Sequence, residues 1–350
     1  MLDIDFVAGS ARDPESTSSY DAIAIRVKEA VDSEQKVIVI DGGFSDVGDD
    51  IVNVVNEYYG TNVVDVMIST HPDKDHLNGL VTAIQQLDVK ELWVHQPDQY
   101  KDDLSDFSNI DNLRTLLAFA TEKGVIVKDP YTGVSQLDGR LMVLGPTEDY
   151  YKQLLDEQLN PEVQAFFANR GNTNRIREAL FGAVDRFAAL THLPIETLGD
   201  GNKTQPRNNS SVITLLRYNS RAYLFTGDAG IPALEFAADE YEALTGGFDL
   251  APLSFFQAPH HGSRHNLGKT VLSRILGHPD QPYNPEVRVY IHAAGASTKH
   301  PSPKVTNALM RRGCDPTHLV VTNGSSKHHH HNSDDRGWGS VGPYPILEEE

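Results

Sequence analysis

The chain has 350 residues, 39% of them hydrophobic, which is enough for one large or two modest domains with a real core. Its formal net charge is −19, from 49 acidic and 30 basic residues; such a field repels polyanions at long range and argues against a non-specific nucleic-acid binder, but leaves metal-assisted chemistry on phosphates open. No stretch approaches the ~20 apolar residues of a membrane span, no positive-then-apolar leader opens the sequence, and the single cysteine, Cys314, excludes an internal disulfide, so a cytoplasmic protein without a membrane partner is expected.

Short strands are predicted over 4–7, 22–27 and 36–40, the last ending at Asp41-Gly42-Gly43. A helix over 51–59 leads to the β-branched run 63–70, which reads as a buried strand. A helix over 77–87, a strand over 91–95, a helix over 113–123 and strands over 125–127 and 141–144 follow, an alternation that argues for helices covering sheet. From about 147 to 197 the apolar spacing turns helical (Leu154, Leu155, Leu159, Val163, Phe166, Phe167, Ile176, Leu180, Val184, Phe187). This reads as a helical insertion, with packing as its plain role and a lid as its functional one. Strands return over 211–217, 222–226, 253–257, 287–292 and 318–322, with helices over 232–244 and 303–312. The residues 326–350, with His328 to His331, read as a polar, disordered tail.

Every notable polar cluster falls just after a predicted strand: Asp41, the segment His71-Pro72-Asp73-Lys74-Asp75-His76, Asp228, His260-His261 and His300. Strands lying side by side bring such loops to one edge, where ligands bind. On an extended loop, alternate residues project to one side, so His71 and Asp73 are expected on one ion and Asp75 and His76 on a second. Imidazole and carboxylate suit zinc, manganese or iron. Cys314 is not expected to be a nucleophile, and no phosphate-binding glycine loop stands in a suitable place.

These residues resemble the metallo-β-lactamase fold family. His71-x-Asp73-x-Asp75-His76 is similar to its signature loop, usually His-x-His-x-Asp-His, with Asp73 in place of the second histidine. The variant His-Pro-Asp-x-Asp-His-x-x-Gly-Leu looks like that of the soluble hydrolase domain of the DNA-uptake competence channel protein and its stand-alone relatives. Asn208-Asn209-x-Ser211, Leu224-Phe225-Thr226-Gly227-Asp228, Pro259-His260-His261-Gly262-Ser263 and His300-Pro301 continue the resemblance in family order over residues 1–325. It implies an α/β fold, a four-layer αββα sandwich carrying the insertion, and two divalent metal ions, Zn or Mn. It makes Asp228 the bridging carboxylate, one of His260 and His261 the last ligand, Asp41 a brace for the ligand loop, and Asn209 a further supporting residue. Asn208 and Asn209 stand where the family has a histidine, which leaves the first metal position open, weak or completed by water.

The resulting expectation is a metal-dependent hydrolase, a phosphodiesterase or nuclease, using a hydroxide held between two cations and acting on nucleic acid or a small nucleotide. Asp75 carries the catalytic weight. His300, Ser263, Arg264 and Lys74 are candidates for substrate contact, with the amides ahead of a helix near Leu267 as a phosphate cradle. The competing readings are an ester, thioester or lactam hydrolase of the same fold, and a non-catalytic metal-containing binding module.

Overall fold

The computed structural model describes residues 1–30, 33–168, 196–279, 281–338 and 342–347. Its first half runs β1 (Leu2–Phe6), β2 (Ala22–Val27), β3 (Lys36–Gly42), α1 (Gly48–Asn53, continued by a π-helical turn over Val54–Tyr58), β4 (Val63–Ile68), α2 (Lys74–Gln86), β5 (Asp88–Trp93), α3 (Ile110–Glu122) and β6 (Ile126–Lys128). Next come β7 (Ser135–Gln136), β8 (Leu141–Gly145), α4 (Glu148–Gln158), α5 (Pro161–Ala168), α6 (Pro206–Asn209), β9 (Ile213–Tyr218) and β10 (Arg221–Phe225). The chain closes with α7 (Ile231–Thr245), β11 (Leu253–Gln257), α8 (Lys269–Leu276), a ribbon of β12 (Gly277–His278) and β13 (Gln281–Pro282), β14 (Arg288–Ile291), α9 (Pro303–Arg311), β15 (Leu319–Val321) and β16 (Lys327–His331).

Two large sheets result, in the orders β16-β1-β2-β3-β4-β5-β6 and β7-β8-β9-β10-β11-β14-β15. Each begins with antiparallel pairs and turns parallel, at β3 in the first sheet and at β10 in the second. Side-chain alternation then builds three apolar layers. Ile4, Phe6, Ile38 and Ile40 meet Leu216, Phe225, Phe255 and Tyr290 between the sheets. The opposite faces, through Val37, Val39 and Met67, and through Leu215, Leu224 and Phe256, pack on helices. The architecture is the αββα sandwich, and strands buried on both faces explain why the runs read as continuously apolar.

Three expectations change. The disordered tail is corrected for Lys327–His331, which pairs with β1 as an edge strand. The cause is polar pairing: Asp3 and Asp5 on β1 are fully buried, and His328 (2.8 Å from Asp3) and Arg336 (3.2 Å from Asp5) partner them. The helix expected near Leu77 begins at Lys74, so the ligand segment is not an extended loop. The insertion starts helically with α4 and α5, but 169–195, with Ile176, Leu180, Val184, Phe187 and His192, lies outside the described residues. No described helix is long and apolar enough to cross a membrane.

Candidate metal centre

The parallel strands β3, β4, β10, β11 and β14 end at one edge, and each delivers polar residues there. Asp41 sits at the end of β3, and His71 and Asp73 follow β4. Asp75 and His76 occupy the first turn of α2; Asp228 follows β10, His260 and His261 follow β11, and His292 follows β14. The start of α2 rides directly on the end of β3, because a Cβ on Gly79 would lie 1.9 Å from the Gly42 carbonyl oxygen. That approach seats His76 against Asp41. His260 and His261 both adopt the left-handed conformation (φ 49° and 57°), a costly arrangement for non-glycine residues that turns two adjacent imidazoles toward the same edge.

His71 lies near Asp73 and Asp75 near His76, and His76 also stands beside Asp228. The grouped donor atoms among the described residues are His71, His76 and Asp228; Asp75, His76 and His261; and Asp21, Asp41 and His76. His76 Nε2 lies 3.4 Å from Asp228 Oδ1 and 4.0 Å from Asp75 Oδ2, and His261 Nε2 lies 3.9 Å from Asp75 Oδ2. His71 Nε2 lies 3.7 Å from Asp73 Oδ2 and 3.8 Å from Asp228 Oδ2.

The partners on the far ring nitrogens decide which atoms can ligate. His76 Nδ1 is 2.8 Å from Asp41 Oδ2, and His261 Nδ1 is 2.8 Å from the His292 carbonyl. Both partners only accept, so each Nδ1 carries a proton and the neutral ring bares Nε2. His71 Nδ1 lies 3.1 Å from Thr70 Oγ1, whose own proton goes to Asp41 Oδ2 at 2.6 Å, and 3.3 Å from Ser211 Oγ; a proton on Nδ1 is accepted by the nearer Thr70 hydroxyl and leaves Nε2 bare. His260 is the reverse. The Asn208 amide donates to Asp228 Oδ2 (3.1 Å) and to His260 Nδ1 (2.8 Å), which puts the His260 proton on Nε2. Nε2 of His71, His76 and His261 and Oδ1 of Asp228 are all buried without a hydrogen-bond partner.

These residues fit a divalent cation. Burial pushes the carboxyl of Asp228 up to about 7 against the pull of His76 and His261, and that of Asp21 up to about 6. Burial likewise drives His71 well below its usual range. His76 moves the other way: burial opposes its charge, but Asp228, Asp41 and Asp75 outweigh burial and raise it. A dry pocket of carboxylates and imidazoles in this state releases protons when a cation enters, which is the linkage expected of a metal site.

Other predicted residues are placed as follows. Asp41 accepts from the Thr70 amide (2.8 Å) and hydroxyl and faces His76, bracing the ligand segment. Asn209 Oδ1 accepts from the Gly230 amide behind Asp228. The His300 ring stands 5.7 Å from that of His260. Lys74 is exposed and Arg264 half-buried. Ser263 is buried, with its Oγ accepting from the His265 amide, so it is turned into its own turn rather than outward. The expected phosphate cradle is corrected too: α8 starts at Lys269, and Asp200 caps it through the Thr270 amide and hydroxyl. Cys314 is buried, which pushes its thiol up and leaves it inert.

Sequence reading missed two residues, Asp21 and Arg207, and named Asn208 without its role. Asp21, buried ahead of β2, lies 3.8 Å from His261 and 3.7 Å from His292 and accepts from Gln257. Arg207 forms an ion pair with Asp73 at 2.6 Å. Asn208 bridges Asp228 and His260. The one sequence signal for Arg207 was its adjacency to the Asn-Asn motif.

No family model matches the chain, and no curated protein sequence matches it. Among solved structures, the chain is similar to one described as a new diphosphatase from the PhnP family, at 13% identity, covering 94% of this chain and 98% of that one, with a TM-score of 0.38. It is also similar to a mutant of the CmlA beta-hydroxylase, at 12% identity, covering 89% of this chain and 49% of that one, with a TM-score of 0.37.

Proposed function

We propose that this chain is a metal-dependent hydrolase whose substrate is a phosphodiester, in nucleic acid or a small nucleotide. The observation that carries the reading is the convergence of three bare imidazole nitrogens and the Asp228 carboxylate, all buried, from the ends of three strands, β4, β10 and β11. His71, Asp73, Asp75, His76, Asp228 and His261 would hold two divalent cations, zinc or manganese. Bound there, such ions supply a water acidified toward neutrality and a Lewis acid for the scissile group.

The chain's own residues do the rest. Asp41, Thr70 and the His292 carbonyl lock the ligand tautomers. His260, with its proton on Nε2, is the substrate-facing member of the histidine pair, and His261 is the ligand. His260 and His300 line the mouth and donate to phosphoryl oxygens, while Arg207 and Lys74 offset charge on an incoming phosphate. The phosphodiester preference rests on the resemblance to the competence-channel hydrolase domain and on this basic lip in an otherwise acidic chain.

The test is metal content and turnover of bis-p-nitrophenyl phosphate, single-stranded DNA and nitrocefin, for wild type beside Asp75→Ala. Phosphodiester turnover lost together with metal in D75A is expected. Turnover of nitrocefin alone would move the chain to the lactam or ester class. Turnover of none of them with Mn or Zn present would make it a binding module.

A further inference from the structure

The structure assigns Asp21 as a positioning residue: it ties the ligand turns of the two sheets to each other, through its backbone to Asp75 and through its carboxylate and Gln257 to the turn that carries Asp228. This inference rests on the metal-hydrolase reading and deepens it.

Asp21 stands just ahead of β2, in the first sheet, and is buried. Its amide donates to the Asp75 carbonyl at 3.1 Å, and its own carbonyl accepts from the Gly43 amide at 2.7 Å. One bond therefore holds the first turn of α2, which carries Asp75 and His76, and the other holds the end of β3, just past Asp41. The carboxylate reaches the second sheet. Its Oδ2 accepts from Gln257 Nε2 at 3.0 Å, at the end of β11. The same carboxylate stands 3.8 Å from His261 Nδ1 and 4.0 Å from His76 Nδ1. Those separations exceed hydrogen-bond reach, so Asp21 acts on the ligands through Gln257 and the backbone.

Gln257 passes the link on. Its Oε1 accepts from the Thr226 amide at 3.1 Å, and its carbonyl accepts from the Thr226 hydroxyl at 2.9 Å. Thr226 opens the turn Thr226-Gly227-Asp228, with Gly227 at φ 50° and the Ala229 amide donating back to the Thr226 carbonyl at 3.1 Å. The Gly227 carbonyl in turn accepts from the His260 amide at 3.0 Å, which joins the histidine pair to the same turn. A backbone amide only donates and a carboxylate only accepts, so a primary amide set between Thr226 and Asp21 has one orientation that satisfies both. Gln257 and Thr226 are buried, and removing the Asp21 carboxylate strands the Gln257 Nε2 hydrogens away from water. The amide then loses the partner that holds Oε1 on Thr226. Asp21, Gln257 and Thr226 thus form one relay from the first sheet to Asp228.

The experiment compares full-length wild type, Asp21→Asn, Asp21→Ala, Gln257→Met and the double variant D21A/Q257M. Hydrogen exchange of the Thr226 amide is followed in the chelator-stripped chain, and Co²⁺ is then titrated in, with its visible spectrum reporting ligand geometry. D21A and Q257M are expected to speed Thr226 exchange by about fivefold to tenfold, the weight of one hydrogen bond. Both are expected to weaken Co²⁺ binding by about tenfold, the lower end of the range for partners behind metal ligands, and to alter the Co²⁺ spectrum. D21N, whose carbonyl still accepts from Gln257, restores slow exchange, affinity and the wild-type spectrum. The double variant loses no more than either single one, because both cut the same relay. D21N falling as far as D21A, losses that add in the double variant, or wild-type exchange and affinity in Q257M would overturn the assignment. If D21A does not fold, the contrast between D21N and Q257M decides alone. Thr226 exchange is read without any ion, so the relay stands or falls there, whereas a wild type that binds neither Co²⁺ nor Mn²⁺ would sink the metal-hydrolase reading itself.

Discussion

Asp41 offers a perturbation in which stability and metal affinity come apart. Its carboxylate is fully buried and takes three donors: the Thr70 amide on Oδ1, and the Thr70 hydroxyl and His76 Nδ1 on Oδ2. Asp41→Ala strands all three. At ~1.5–3 kcal/mol for each charge-assisted bond the sum overshoots, because water enters the space left behind, so a loss of about 3–5 kcal/mol is the working figure. For 350 residues at ~2.1 cal/mol/K each, unfolding entropy is about 0.7 kcal/mol/K, and the melting point falls by about 4–7 °C. Asp41→Asn keeps the shape. Its carbonyl takes the Oδ1 place and accepts from the Thr70 amide, so its NH2 takes the Oδ2 place and donates to His76 Nδ1. That forces the imidazole proton onto Nε2 and removes the ligating lone pair. D41N is expected to lose only about 1–2 kcal/mol of stability but about 10–100-fold in metal affinity. Differential scanning calorimetry and Mn²⁺ titration read the two quantities separately. D41N binding metal as tightly as wild type would refute the tautomer argument on which the assignment of ligand atoms stands.

Two further outcomes follow from other parts of the molecule. Burial disfavours the Asp3 carboxylate, but His328, Ser333 and Arg26 outweigh it and hold its pKa down at about 2. A depressed folded value stabilises above the unfolded value of 3.8 and ceases to as pH falls toward 2, so Asp3→Asn should cost about 1–2 kcal/mol at pH 6 and nearly nothing at pH 2. A urea-melt difference that stays constant over that range would count against the clasp. Gly79→Ala places a methyl 1.9 Å from the Gly42 carbonyl oxygen, backbone against backbone. The start of α2 must move away from β3, at a cost of about 1–3 kcal/mol. Metal affinity is expected to fall with it, since His76 leaves Asp41; unchanged melting and unchanged metal content in G79A would contradict this.

Much of the fold was legible because its signals are local. Runs such as Val63–Ile68 and Leu253–Gln257 announce buried strands by their own side chains, and polar clusters placed just past them announce one reactive edge. Asp41, His71, Asp75, His76, Asp228 and the pair His260-His261 could be nominated from that pattern alone. The start of α2 was read about three residues late, since Lys74, Asp75 and His76 carry no apolar period although the backbone is already helical there. The tail was misread because the pull on His328 and Arg336 comes from Asp3 and Asp5, more than 300 residues away.

What the residue order determined, then, was which chemical groups arrive at the edge of the sheets: imidazoles, carboxylates and one cysteine kept out of the way. Only the tertiary structure decided how each group is used. Whether an imidazole presents a lone pair or a proton depends on what meets its other nitrogen, and for His261 that is a carbonyl at residue 292, for His260 an amide at residue 208. Asp21 and Arg207 reach the centre by the same long-range packing. A tautomer is set across space by a partner that neighbours in the chain do not encode, so it appears only once the two sheets have closed on each other.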